Sequence, residues 1–224
     1  MLIVEDLDRA KNLHYAIRVI AILKACREVG ISPVPLASLH AIAYFSDALA
    51  PTWKVRVLES QVLKQEDFPL NPRLQRNIDG LVGAAIIKPS KVSHHRAPKG
   101  WRLDAQYELN SVFSKAIIEA MEVDAEFHRE MVLTREVTLA LAGMRAYGLA
   151  GAVLADAAYS DPLLDFGNIV DLQPEEEGIS RTKMMADRFV SLMASQRALT
   201  PAETTHLYVR HLFSVMRKAS SESN

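Results

Sequence analysis

Four aspartates, Asp156, Asp161, Asp165 and Asp171, fall in one short stretch and are the residues best placed by type to bind a divalent cation or exchange protons. They lack the odd-position order of a calcium loop and the glutamate that closes one at its twelfth position. Cys26 would act as a nucleophile only if a neighbouring base lowered its pKa. No spacing in the chain supplies that base, and Cys26 lies among apolar residues, so it reads as a buried, inert thiol. His206 and His211 are five apart and point to different faces of a helix, while His94 and His95 are adjacent and diverge. The sequence contains no glycine-rich phosphate loop, dinucleotide fingerprint, paired-histidine zinc motif or nucleophile elbow. The expectation is therefore no catalytic residue, no metal and no cofactor. The region from Asp156 to Asp171 is the one place where an enzyme could be argued.

Charge placement says more than any motif. Between Asn71 and Arg102 stand Arg73, Arg76, Lys88, Lys91, Arg96, Lys99 and Arg102, with His94 and His95 among them, against the single carboxylate Asp79. Lysine and arginine in this density suit contact with nucleic-acid phosphates, and equally a protein contact or a simply solvated hairpin. From Ala146 to Ser180 the imbalance reverses: Asp156, Asp161, Asp165, Asp171, Glu175, Glu176 and Glu177 occur with no lysine or arginine. That segment is expected to face a basic partner protein or simply water.

The elements carrying these charges follow from apolar spacing. Residues 8 to 29 form a helix with Leu13, Ala16, Ile17, Ile20 and Leu23 recurring at three and four, and Gly30 ends it. Ser32, Pro33 and Pro35 force a turn before a second helix, 36 to 49, with Leu39, Ile42, Phe45 and Leu49 on one side and His40 at the core edge. Residues 51 to 66 fit either a short strand or a helix opened by Pro51. Asn71 caps a third helix with Pro72 in its first position and Leu74, Ile78, Leu81, Val82 and Ala85 as its apolar stripe. Gly80 and Gly83 inside it suggest close approach of another backbone. Ile86, Ile87 and Lys88 suit a strand, Pro89 to Gly100 a polar loop, and Trp101, Leu103, Ala105, Tyr107 and Leu109 alternate as a second strand. Helix, strand, loop and strand give a winged-helix-like domain over 1–110, with the hairpin as its wing. The outward face of the third helix, Arg73, Arg76, Asn77 and Gly80, is thin for base readout, so DNA contact would be weakly sequence-specific.

A helical domain follows over 111–224. Ser111 to Met144 is one long helix or two abutting ones, with Phe113, Ile117, Met121, Phe127, Met131, Leu133, Val137 and Leu141 inward. Leu149 to Ala158 is a further apolar segment, and Ile169 to Leu172 a short stretch framed by turn residues. Ser180 to Gln196 is a helix with Met185, Phe189, Leu192 and Met193 inward. Thr200, Pro201 and Glu203 form a capping box for the last helix. The fold class expected is mainly α with a minor α+β part.

The 224 residues are 49% apolar and 24% charged, with net charge −1, which excludes a disordered chain and any global polyelectrolyte role. A single cysteine excludes an internal disulfide and fits a reducing cytoplasm. Glu5, Asp6 and Asp8 replace the basic start of a signal peptide, and no apolar run is long enough for a membrane span.

Three segments together resemble a known family. They are Phe68-Pro69-Leu70-Asn71-Pro72-Arg73-Leu74-Gln75-Arg76 leading into Asp79-Gly80-Leu81-Val82, then Leu154-Ala155-Asp156-Ala157-Ala158-Tyr159-Ser160-Asp161-Pro162, and Gly167-Asn168-Ile169-Val170-Asp171-Leu172. With a winged-helix-like N-terminal half, they are similar to the middle component of bacterial ABC-three-component systems, which include the small subunit of Lamassu-type defence complexes. The resemblance implies a non-enzymatic subunit bound to an SMC-like ATPase and to an effector, commonly a nuclease, and assigns no contact residue. The other reading open at this stage is a winged-helix transcription regulator acting as a dimer through its C-terminal helices.

Overall fold

The structure is a computed structural model that describes residues 2–97, 100–143, 148–149, 151–173, 180–195 and 197–222. It is mainly helical with a small antiparallel sheet. In chain order the elements are α1 (Leu2–Glu28), β1 (Val34–Pro35), α2 (Leu36–Leu49), a 3-10 turn (Ala50–Trp53), β2 (Gln61–Leu63) and α3 (Pro72–Gly83). The hairpin β3 (Ile87–Ala97) and β4 (Gly100–Leu109) follows, then α4 (Lys115–Val123), α5 (Ala125–Ala142), α6 (Gly151–Leu154), β5 (Ile169–Asp171), α7 (Arg181–Met193) and α8 (Pro201–Glu222). Among the described residues no helix is long and apolar enough to cross a membrane.

Helix α2 is the centre of the packing. All its residues except Ala37 are buried, so it has no solvent face, as expected of a helix apolar all round. Helix α1 packs against α5, α3 and α2 and buries Tyr15, Ile17, Val19, Ile20, Ile22 and Leu23, whereas Leu13, expected inside, is 54% exposed. The inward face starts one turn later than the apolar spacing suggested because Tyr15 and Arg18 take part in it. Arg18 is fully enclosed and donates to Glu130 of α5 at 2.7 Å and to Asp47 of α2 at 3.2 Å. Burial alone would lower its pKa, but the two carboxylates outweigh that and hold the guanidinium charged. Cys26 is buried with its thiol pushed up to about 12 by desolvation, in keeping with an inert core residue.

The segment left open between 51 and 66 supplies both the 3-10 turn and β2. Strand β2 pairs antiparallel with β5, more than a hundred positions later, with Val62 opposite Val170. The long segment after residue 111 is two helices, broken at Asp124, whose carboxylate accepts the N–H groups of Glu126 and Phe127 at 2.9 and 3.0 Å. Phe113 stays outside, 57% exposed, because it lies in the turn that precedes α4. In α7 the fully buried residues are Thr182 and Ala186; Met185 and Phe189 are half-buried and packed against the core as expected, whereas Leu192, expected inward, is 73% exposed. The buried apolar residues among those described form one cluster from Tyr15 to Leu212.

Candidate nucleic-acid interface

Helix α3 is positioned by a chain of polar contacts beneath its first turn. Asn71 accepts the N–H groups of Arg73 and Leu74 at 2.9 and 3.0 Å, the cap that its type predicts. Its own N–H donates to His40 Nδ1 at 3.4 Å, so the His40 proton sits on Nε2 and meets Gln75 Oε1 at 3.2 Å. His40 is 1% exposed and stacked on Phe68, deeper than the core edge where its spacing placed it. With Leu74, Ile78 and Leu81 buried, Arg73, Arg76, Asn77 and Gly80 face outward. Arg73 pairs with Asp8 of α1 at 2.8 Å; Arg76 is exposed.

The glycines do not carry out the role expected of them within this chain. A Cβ on Gly80 or Gly83 would meet no heavy atom within 4 Å, so among the described residues no other backbone approaches either.

Residues 89–97, expected as a polar loop, are strand. They hydrogen-bond with β4 in a continuous ladder from Ile87 opposite Leu109 to Ala97 opposite Gly100, with a register shift between Ser90 and Ser93. The segment is polar and yet strand because the ladder outruns the core. Ile87, Ala105, Tyr107 and Leu109 are buried, while Ser93, His94 and Asp104 are already exposed. Lys88 and Lys91 are exposed on β3, and Lys91 has φ +47° within the shift. Arg96 lies opposite Trp101, and Arg102 opposite His95, in the outer part of the hairpin; Lys99 is outside the described residues. The returning strand changes the charge pattern, since Glu108 sits opposite Lys88 and Asp104 opposite Ser93. A carboxylate thus accompanies Lys88, and the exposed cations described on α3 and β3 are Arg76, Lys88 and Lys91.

The acidic segment comes apart in three dimensions. Asp156 is not a surface group: it is fully buried and accepts the hydroxyls of Tyr44, Tyr208 and Thr182 and the N–H groups of Ala158 and Tyr159. Its side chain is therefore not at the surface, where a partner contact was expected. Asp161 pairs with Arg181 at 2.8 Å and accepts the Leu163 N–H. Asp171 accepts the Gln173 N–H at 2.8 Å. Lys64, 7% exposed, places its ammonium within the same loop, donating to the carbonyls of Asp161 and Leu164 at 3.1 and 2.6 Å. The lack of lysine and arginine in the linear segment is thus offset by Lys64 and Arg181 from outside it. Asp165 remains exposed, and Glu175, Glu176 and Glu177 are outside the described residues. Among the described residues no cluster of three or more histidine, cysteine or carboxylate side chains could hold a metal ion.

No protein-family model and no curated protein matches the sequence.

Proposed function

We propose that this chain is a non-catalytic accessory subunit of a bacterial defence complex, antiphage or anti-plasmid, that bridges an SMC-like ABC-type ATPase and an effector. We further propose that its N-terminal part is a winged-helix-like unit that contacts duplex DNA without sequence specificity. The observation that carries the DNA contact is the hairpin β3–β4, which outruns the core with Lys88 and Lys91 exposed next to α3. The winged-helix reading is supported by the order α1, β1, α2, α3, β3, β4 and by the sheet order β1-β4-β3, in which the short first strand pairs with the last. The 21 residues 50–70 between α2 and α3 are an insertion in that plan, used to pair with β5. The ATPase and effector come from the sequence resemblance. Enclosure of Asp156 supports a non-catalytic role, because it removes one carboxylate of the only segment from which an active site was arguable.

Titration of a fluorescent duplex over a salt series tests the DNA contact. About five phosphate contacts predict that log affinity falls with log salt at a slope of about −4 to −5, with little dependence on sequence. Replacing Lys88, Lys91 and Arg96 by glutamate should abolish the binding. A triple variant that binds like the parent removes the hairpin from the interface.

A further inference from the structure

A groove of about 350 Å³ runs between α1 and α3, lined by Asp8, Asn12, Arg73, Arg76, Asn77 and Gly80 among others. Its size lies at the lower end of ligand clefts, and its lining mixes these polar groups with the apolar Ala16 and Leu81. Two arginines face one carboxylate across it. Arg73 is held by Asp8, while Arg76 has no carboxylate partner among the described residues. Gly80, one turn beyond Arg76, leaves the groove floor without a side chain, and the space above it is open. Asn12 and Asn77 add amides, although the Asn77 amide already donates to the Arg73 carbonyl at 2.9 Å.

We infer that this groove is a subsite for one phosphodiester group of a duplex backbone, with Asp8 as an internal stand-in for the phosphate. The inference rests on the DNA-binding reading and assigns it a second contact, separate from the hairpin. Arg76 supplies the free cation, and Arg73 becomes available when the phosphate displaces Asp8. A phosphodiester offers two charged oxygens to a guanidinium fork, which suits arginine better than a point-charge lysine. Displacement is cheap because the pair is exposed, 26% on the Arg73 side and 62% on the Asp8 side, and exposed ion pairs are weak. Asp8 thereby sets a threshold: it repels backbone that merely passes and yields to backbone also held by the hairpin.

The test is binding of a labelled duplex to the full chain and to Asp8→Asn, Arg76→Gln, Gly80→Leu and the hairpin triple variant, each checked for an unchanged melting profile or, for Gly80→Leu, an unchanged or raised one. Asp8→Asn should bind up to about fivefold tighter, the ceiling that an exposed ion pair sets. Arg76→Gln should weaken binding and reduce the salt slope by about one unit. Gly80→Leu, which adds an apolar side chain to the groove lining where a Cβ has open space, should weaken binding severalfold. If these three bind like the parent while the hairpin variant loses DNA, the groove assignment is wrong and the hairpin reading stands. If neither the parent nor Asp8→Asn binds duplex, both are wrong. Competition with inorganic phosphate identifies the source: displacement of the duplex at micromolar phosphate would overturn the assignment to a nucleic-acid backbone, and persistence of the complex at millimolar phosphate supports it.

Discussion

The Tyr44 hydroxyl donates to the Asp156 carboxylate at 2.5 Å across 112 positions of sequence. Tyr208 reaches the other oxygen of the same carboxylate at 2.5 Å, and Thr182 donates to it as well, so one aspartate ties α2, α7 and α8 to the turn after α6. Burial, and then the nearby carboxylate, raises both phenols well above their usual pKa, which keeps them donors. Asp156→Ala strands three buried hydroxyls and should cost about 3 to 5 kcal/mol. Urea denaturation measures it, and a loss below about 1 kcal/mol would show that Asp156 does not organise the C-terminal helices.

Asp156 also shows what one-dimensional reading misses. Within its segment it looked like the other acids, because charge counting cannot tell a solvated carboxylate from one enclosed by tyrosines far away in sequence. The Arg18–Asp47 pair has a signal in the sequence. Arg18 is the only charged residue between Tyr15 and Leu23, and Asp47 is the only carboxylate or cation in α2. Lone charges in otherwise apolar runs are candidates for pairing with each other, as these do. Short-range chemistry was read well: the Asn71 cap and the Thr200–Glu203 box depend on neighbours three residues apart. Pairing of β2 with β5 was not legible, since three-residue strands carry too little alternation to signal a partner.

Gly80→Ala should stabilise the protein by about 1 kcal/mol. The added methyl meets open space and the backbone there is helical, so the gain in helix propensity is not offset by a clash. Thermal or chemical denaturation checks it. A lower midpoint would mean that some packing against Gly80 exists in solution.

Thr200→Ala should cost about 1 kcal/mol, because the Glu203 N–H loses its acceptor at 3.2 Å. The reciprocal half of the box has a pH signature. The Thr200 N–H, with Arg197, lowers the pKa of Glu203. A carboxylate with a depressed folded pKa contributes stability that is present above its unfolded pKa and lost as pH falls through the folded one. The stability difference between the parent and Glu203→Gln should therefore be largest near neutrality and shrink below the ordinary carboxylate range. A difference independent of pH would contradict the reciprocal bond.

Co-expression of this chain with the genes flanking its own, followed by affinity purification and size-exclusion chromatography, tests the central claim most directly. A stable subunit interface generally buries more than about 1,000 Å², so the account predicts that a large coiled-coil ATPase co-purifies with this chain in fixed stoichiometry through the sizing step. Recovery of the chain alone, as a symmetric dimer that binds one defined DNA sequence and leaves the ATPase behind, would contradict it and make the protein a transcription regulator.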